Sequence, residues 1–309
     1  MNAQIVVVGS LNMDMVVSLN HRPDRGETVL GSDFFMNAGG KGANQAVAAS
    51  KLGASVAMIG KVGSDLFGDQ LLANLEQVGV DCRAIEKVSE DATGVAFVTL
   101  DPEGDNSIVV APGANLRLTP EDVRRREELI KQSKLLMVQL EVPLETVKEA
   151  ITIARRHKVP VLLDPAPAQT LSEDLLSLVD YIVPNETEIK QLTGIHVFDQ
   201  VTAKLAAVEL LRKGVSTVFA KLGEKGIVVV NANRTFFVES YEVKAVDSTA
   251  AGDAFAGAVG AALVSGKDIW AAAKFASAIG ALTVTRKGAQ ASMPSLEEAE
   301  QFIKQEAHN

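Results

Sequence analysis

The chain has 309 residues, room for one large or two smaller domains, and its 47% apolar content supplies a substantial core, which excludes a disordered protein. Thirty Lys and Arg against 39 Asp and Glu leave a net charge of −9, and only 5% of residues are aromatic. An acidic chain repels polyphosphate backbones and lacks a base-stacking platform, which excludes nucleic acid as a partner of the whole chain.

Met1–Gln4 carries no basic region or cleavage site, so no signal peptide is expected. Ile5–Gly9 reads as a strand; Leu11–Asn20 and Val29–Met36 read as two more, joined without a helix across His21-Arg22-Pro23-Asp24-Arg25-Gly26. An Ala-rich helix follows over Gly42–Leu52, then a strand over Val56–Val62 and an amphipathic helix over Leu66–Gln77. Gly94–Asp101 and Asn106–Val110 form a second helix-free pair across Pro102-Glu103-Gly104-Asp105. Thr119-Pro120-Glu121-Asp122 opens a helix with a Thr cap, Pro in the first turn and acids near the positive end of the dipole. Strands over Leu135–Leu140, Val159–Leu163 and Tyr181–Pro184 alternate with helices over Leu144–His157, from Ser172, and over Glu186–Leu192. A helix over Val201–Lys213, strands over Thr217–Lys221, Gly226–Asn231 and Thr235–Val238, and helices near Gly252–Val264, Ile269–Thr283 and Leu296–Glu306 complete the chain.

This alternation predicts βαβ units and a mostly parallel sheet covered on both faces. The two helix-free pairs can fold together as a small second sheet, decorative or a lid, because such excursions leave from strand ends where α/β proteins bind ligands. The longest uncharged apolar stretch, Ala254–Val264, has 11 residues, short of the roughly 18 that span a bilayer. The one cysteine, Cys82, has no internal partner, and His21, His157, His196 and His308 match no zinc spacing. The expectation is a soluble, cytoplasmic protein in a reducing compartment.

Five segments carry residues suited to chemistry. Asp247-Ser248-Thr249-Ala250-Ala251-Gly252-Asp253 enters a helix of Ala and Gly, whose free first-turn N–H groups make an anion site. Asp253 is either an acid favoured by the dipole or a carboxylate able to take a hydroxyl proton during phosphoryl transfer. Asn37-Ala38-Gly39-Gly40-Lys41-Gly42-Ala43-Asn44-Gln45-Ala46 is a Gly-rich loop before a helix, without the pattern of a Walker A loop or a dinucleotide fingerprint. Asn185 and Glu188 form either a helix cap or a site near phosphate and hydrated Mg²⁺. Leu222-Gly223-Glu224-Lys225-Gly226 reads as a tight turn, and Asn12 and Asp14 after the first strand suit vicinal hydroxyls.

Together these segments resemble the ribokinase-like (PfkB) family of carbohydrate kinases, from Gly9-Ser10-Leu11-Asn12-Met13-Asp14 through Thr285-Arg286-Lys287-Gly288-Ala289-Gln290. The Gly39–Ala46 and Asp247–Asp253 segments match the family's two signatures, with Ala250 where the wider family often has glycine. The resemblance implies a three-layer α/β/α core of residues 1–10, 37–93 and 111–309, with a discontinuous β lid of about 11–36 and 94–110. It implies ATP-dependent transfer to O5 of a pentose, ribose first, with deoxyribose, another sugar or a nucleoside as alternatives. Asp253 would be the base, and the amides of Ala250, Ala251 and Gly252 an anion hole. Asn12, Asp14, Gly40, Lys41, Gly42, Ala43, Asn44 and Glu141 would hold the sugar, with Ala96, Val98 and Val110 shaping selectivity. Asn185, Lys221, Leu222, Gly223, Glu224, Lys225, Gly226, Gly252 and Ser277 would hold ATP, with Glu188 reaching Mg²⁺ through water. Lys221 stands where a small hydroxyl residue is expected, and Ser277 where histidine is frequent. Asp247, Thr249, Thr283, Arg286, Gly288 and Ser292 match the positions that bind a monovalent cation, K⁺, and the lid implies a homodimer.

Overall fold

The computed structural model describes residues 3–101 and 106–306. Met1, Asn2, the expected turn Pro102–Asp105 and His308 lie outside them. The chain opens with β1 (Ile5–Val8), β2 (Asn12–Ser18), β3 (Asp33–Gly39), α1 (Lys41–Lys51), β4 (Val56–Gly63), α2 (Leu66–Gln77) and β5 (Asp81–Val88). Next come β6 (Gly94–Leu100), β7 (Asn106–Ala111), α3 (Pro120–Arg124), α4 (Glu127–Lys131), β8 (Leu135–Val138), α5 (Leu144–Arg156) and β9 (Val161–Leu163). The remainder is α6 (Glu173–Leu176), β10 (Tyr181–Ile182), α7 (Glu186–Thr193), α8 (Gln200–Arg212), β11 (Thr217–Lys221), β12 (Ile227–Asn231), β13 (Thr235–Val238), α9 (Ala251–Val264), α10 (Ile269–Val284) and α11 (Leu296–Glu306).

Nine strands form the main sheet in the order β13-β12-β11-β10-β9-β8-β1-β4-β5. All neighbours run parallel except β11–β12 and β12–β13, a meander at one edge. The central strands are apolar runs because both faces are covered. Along β1, Ile5 and Val7 enter the core under α1, α9 and α10, while Val6 and Val8 enter the core under α5, α7 and α8. Local signals fix the helix starts: Asp65 caps α2, and capping boxes open α3 at Thr119 and α7 at Asn185. Among the described residues no helix is long and apolar enough to cross a membrane.

The two helix-free pairs form one four-stranded sheet, β3-β2-β6-β7, with β2 and β6 parallel and the outer pairs antiparallel. Two expectations need correction. The strand expected over Val29–Met36 lies at Asp33–Gly39, because β2 pairs Asn12 with Gly39. The Gly-rich segment is therefore mostly strand end and helix start, with Gly40 alone between them. β5 was not expected at all: Asp81, Arg83, Glu86 and Lys87 mask its pattern, as charges on an edge strand do.

Candidate active site

The C-terminal ends of the parallel strands carry the polar residues: Ser10 after β1, Glu141 after β8, Asp164 after β9, Asn185 after β10 and Lys221 at the end of β11. Ligands of α/β sheets bind along that edge. Gly40 (φ 88°) allows the turn from β3 into α1, where a β-carbon would meet the Asn12 nitrogen at 2.6 Å. The turn sets α1 against α9 and brings the two signature segments together.

Between them and the small sheet lies a cavity of about 280 Å³. Its polar floor is Gly40, Lys41, Asn44, Glu141 and Asp253 with Asn12 and Asp14 entering from the near end of β2, and its apolar roof is Val16, Ala96, Val98 and Val110 further along the small sheet. Asp253 is 5% exposed, and both its oxygens are held: Asn44 Nδ2 donates to Oδ2 at 2.8 Å and Gln45 Nε2 to Oδ1 at 3.3 Å. Gln290 Nε2 fixes Asn44 by donating to its Oδ1 at 3.0 Å. Asn115 Nδ2 donates to Asn12 Oδ1 at 2.8 Å, and Ser10 Oγ to Glu141 Oε2 at 2.6 Å. The Lys41 N–H also donates to Glu141 Oε2, at 3.2 Å.

Charge is concentrated here. Burial, reinforced by the Glu141 and Asp253 carboxylates and opposed by Lys41, pushes the Asp14 carboxyl up to about 7. The Asp253 carboxylate, outweighing burial and joined by Asp164, Glu141 and Glu188, holds the Lys41 ammonium well above its ordinary value. Lys41 is therefore a permanent cation and Asp14 a group that titrates near neutrality.

At the start of α9 the ladder begins with the Ala254 N–H donating to the Ala250 carbonyl. Of the three amides expected to form the anion hole, that of Ala251 instead donates to the Ser248 carbonyl at 3.2 Å. The N–H groups of Gly252 and Asp253 precede the ladder and have no intrahelical acceptor, which suits a bound anion. Ala250 caps the helix in the left-handed region, φ 59°, a conformation costly for alanine. Asp247 ties the approach loop: Oδ1 accepts the Thr249 N–H and Oδ2 the Gly288 N–H, each at 2.9 Å. Burial raises its carboxyl, but the Thr249 and Gly288 hydrogen bonds outweigh that and keep it below the usual carboxylate value.

The structure does not bring every expected residue to the cavity. Ala43 points into the core, and Gly42 packs on Gly9 and Ser10. Asn185 and Glu188 close on each other as a capping box, Asn185 Nδ2 donating to Glu188 Oε1 at 2.9 Å. Lys221 and the turn Leu222–Gly226 lie beside them, where the Lys221 N–H donates to the Pro184 carbonyl at 2.9 Å. Ser240 donates to the Glu224 carbonyl of that turn, while Ser277 of α10 donates to the neighbouring Glu239 carbonyl at 3.3 Å. Of these residues Lys221 reaches the start of α9, its Nζ lying 3.4 Å from the position a β-carbon would take on Gly252. Around Asp247, Thr249 and Gly288 line the cavity, whereas Thr283 and Ser292 are buried and give their hydroxyls to Ile279 and Ala289 carbonyls. Arg286 turns away to Glu298 at 2.6 Å. Among the described residues no three His, Cys, Asp or Glu converge as a metal cage.

Sequence reasoning missed Asp164, Gln45 and Gln290 as members of this network. Gln45 and Gln290 lie in the segments that were singled out, yet amides carry no chemical signature of their own. Asp164 could have been found from its place after a parallel strand.

The model of the pfkB family carbohydrate kinases matches residues 2–296. A ribokinase of Haemophilus influenzae is 44% identical over 98% of this chain and 99% of its own. A deoxyribokinase of Salmonella typhi is 41% identical over 97% of this chain and 98% of its own. The solved structure of Arabidopsis thaliana ribokinase complexed with ribose and ATP is 32% identical, covers 98% and 99% of the two chains, and superposes with a TM-score of 0.92.

Proposed function

The chain belongs to the pfkB family of carbohydrate kinases, and on that premise we propose that it transfers the γ-phosphoryl group of ATP to O5 of D-ribose, giving ribose 5-phosphate. The observation that carries this reading is Asp253, buried between the polyol-suited floor and the unpaired N–H groups of α9. Asn12, Asp14, Lys41, Asn44 and Glu141 line the floor and supply acceptors and donors for vicinal hydroxyls. Val16, Ala96, Val98 and Val110 cover the opposite side, so the small sheet acts as a lid that excludes water.

Asp253 takes the O5 proton as O5 bonds to the γ-phosphorus and the bond to the ADP oxygen breaks. Asn44 and Gln45 aim its carboxylate and leave lone pairs for the sugar hydroxyl. The first-turn amides of α9 face the charge that develops on the transferred group. Asn185, residues 221–226 and Ser277 would hold ATP, and Lys221 among them reaches the same helix end. Glu188 is a single buried carboxylate, which suits a Mg²⁺ that keeps most of its water; bound with ATP, the ion neutralises phosphate charge. Asp247 with the carbonyls of Thr249, Thr283, Arg286, Gly288 and Ser292 makes a one-carboxylate, carbonyl-rich set suited to K⁺, which would strengthen the field at the anion hole. The outward turn of the Arg286 guanidinium is compatible with that set.

The deoxyribokinase relative keeps 2-deoxyribose as the second reading. A coupled kinase assay over pentoses, hexoses and nucleosides, run in K⁺ and Na⁺ buffers, decides both points. The expected result is the highest kcat/KM with ribose, and several-fold faster turnover in K⁺. A higher kcat/KM with deoxyribose or a nucleoside removes the ribose assignment, and equal rates in the two buffers remove the K⁺ site.

A further inference from the structure

Lys221 closes β11 at the edge of the sheet where the site lies, and its side chain turns inward. Only 15% of that side chain is exposed, and Nζ lies 3.7 Å from Asp164 Oδ1. The same ammonium stands 3.4 Å from the position that a β-carbon would take on Gly252, in the first turn of α9. Among the described residues Asp164 is its only ion-pair partner, at a distance too long for a hydrogen bond. The three N–H donors of this cation are therefore left for a ligand, next to the helix end that receives phosphate.

Asp164 explains why the cation stays there. It is 1% exposed; Gln45 Nε2 donates to Oδ2 at 2.8 Å, while Oδ1 accepts no hydrogen bond from any described residue. A buried carboxylate with one orphaned oxygen is costly unless a cation remains within Coulomb reach. Burial raises its carboxyl, Lys221 and Lys41 oppose that, and Glu188 and Asp253 add to it. Gln45 joins the two carboxylates, since the same Nε2 reaches Asp253 Oδ1. Lys41 lines the sugar cavity and Lys221 does not, so the two cations serve different parts of the site.

Resting on the kinase reading above, we infer that the Lys221 side chain is a phosphate ligand. Its ammonium binds the nucleotide's phosphates on either side of the bond that breaks, and Asp164 is the positioning residue that holds it there. Charge on the departing ADP oxygen grows as that bond breaks, so the contact strengthens toward the transition state. Asp253 serves the attacking hydroxyl and Lys221 the departing nucleotide.

The test is titration calorimetry with ADP, a non-hydrolysable ATP analogue and AMP, together with steady-state kinetics. Because K221M leaves a buried carboxylate without its cation, D164N/K221M, which removes both charges at similar volume, is measured beside it. The expected result in both is a tenfold or greater loss of affinity for ADP and for the analogue, with AMP changed less than twofold. Turnover falls at least tenfold while KM for the sugar stays within twofold. D164N alone weakens ADP threefold or more when Lys221 is present and has no effect when it is methionine. Phosphate affinities within twofold of the parent, or an equal loss for AMP, overturn the ligand assignment. An equal D164N effect in both backgrounds overturns the positioning role. Calorimetry needs no turnover, so a parent enzyme that phosphorylates no sugar would refute the proposed function and leave this test intact.

Discussion

Asp14 shows how a residue proposed to hold the sugar costs stability. Its carboxyl rises from 3.8 to about 7 in the folded chain, through burial first and then Glu141 and Asp253. The folded state thus binds a proton more tightly than the unfolded one. Stability falls as pH rises from about 4 to 7, and above that the ionised group is a constant cost. Asp14→Asn is expected to stabilise the sugar-free protein at pH 8 by about 1–3 kcal/mol, measured by denaturant unfolding, and to lose most sugar affinity. In the parent, KM for the sugar should rise as pH drops through about 7, since protonated Asp14 loses acceptor capacity. A pH-independent KM, or full sugar binding by the variant, would contradict this. Residues set in distinctive segments were legible in sequence, Asp14, Lys41 and Asp253 among them, and they meet around one cavity with Glu141, which only the family resemblance pointed to. Asp164 was passed over because an aspartate before proline reads as a turn, although it follows a parallel strand that the fold sets beside Gln45 and Lys221.

Most elements were legible because strand and helix periodicities differ and because Thr119 and Asn185 announce their helices. β5 and the true span of β3 were not, since both depend on pairing partners rather than on local pattern. The contact between α1 and α9 likewise emerges only in the fold. A β-carbon on Gly257 of α9 would meet Ala48 Cβ of α1 at 2.5 Å and the Gln45 carbonyl at 2.8 Å. That backbone approach carries Asn44 and Gln45 to Asp253. Gly257→Ala gains helix propensity but forces the helices apart, with an expected net loss of about 1–3 kcal/mol and lower kcat. Thermal unfolding and initial rates check it; a stabilised, fully active variant would show that the interface has slack.

At the scale of the molecule, the small sheet has two unlike faces. Asp14, Val16, Ala96 and Val98 face the cavity, while Phe34, Met36, Phe97 and Val109 stand exposed on the other side, aligned by strand register through Met15. An open apolar sheet face of this kind is a liability in a monomer. We propose that two copies pair through it. Light scattering should give about 65 kDa, twice the 32.7 kDa chain, and Phe97→Asp should give the monomer; a parent monomer at working concentration would refute the pairing. The acidic net charge takes on meaning at this scale too. A chain of −9 that uses ATP must gather positive potential locally, and on the proposed reading Lys41, Lys221 and the α9 N-terminus would supply it.

The central claim, that Asp253 and the start of α9 form the phosphoryl-transfer centre, is tested most directly by Asp253→Asn, which keeps the shape of the side chain and removes its basicity. With ribose and ATP, formation of ribose 5-phosphate by phosphorus NMR should fall about 10²–10⁴-fold in kcat, with KM for the sugar changed only a few-fold. Turnover within tenfold of the parent would contradict it.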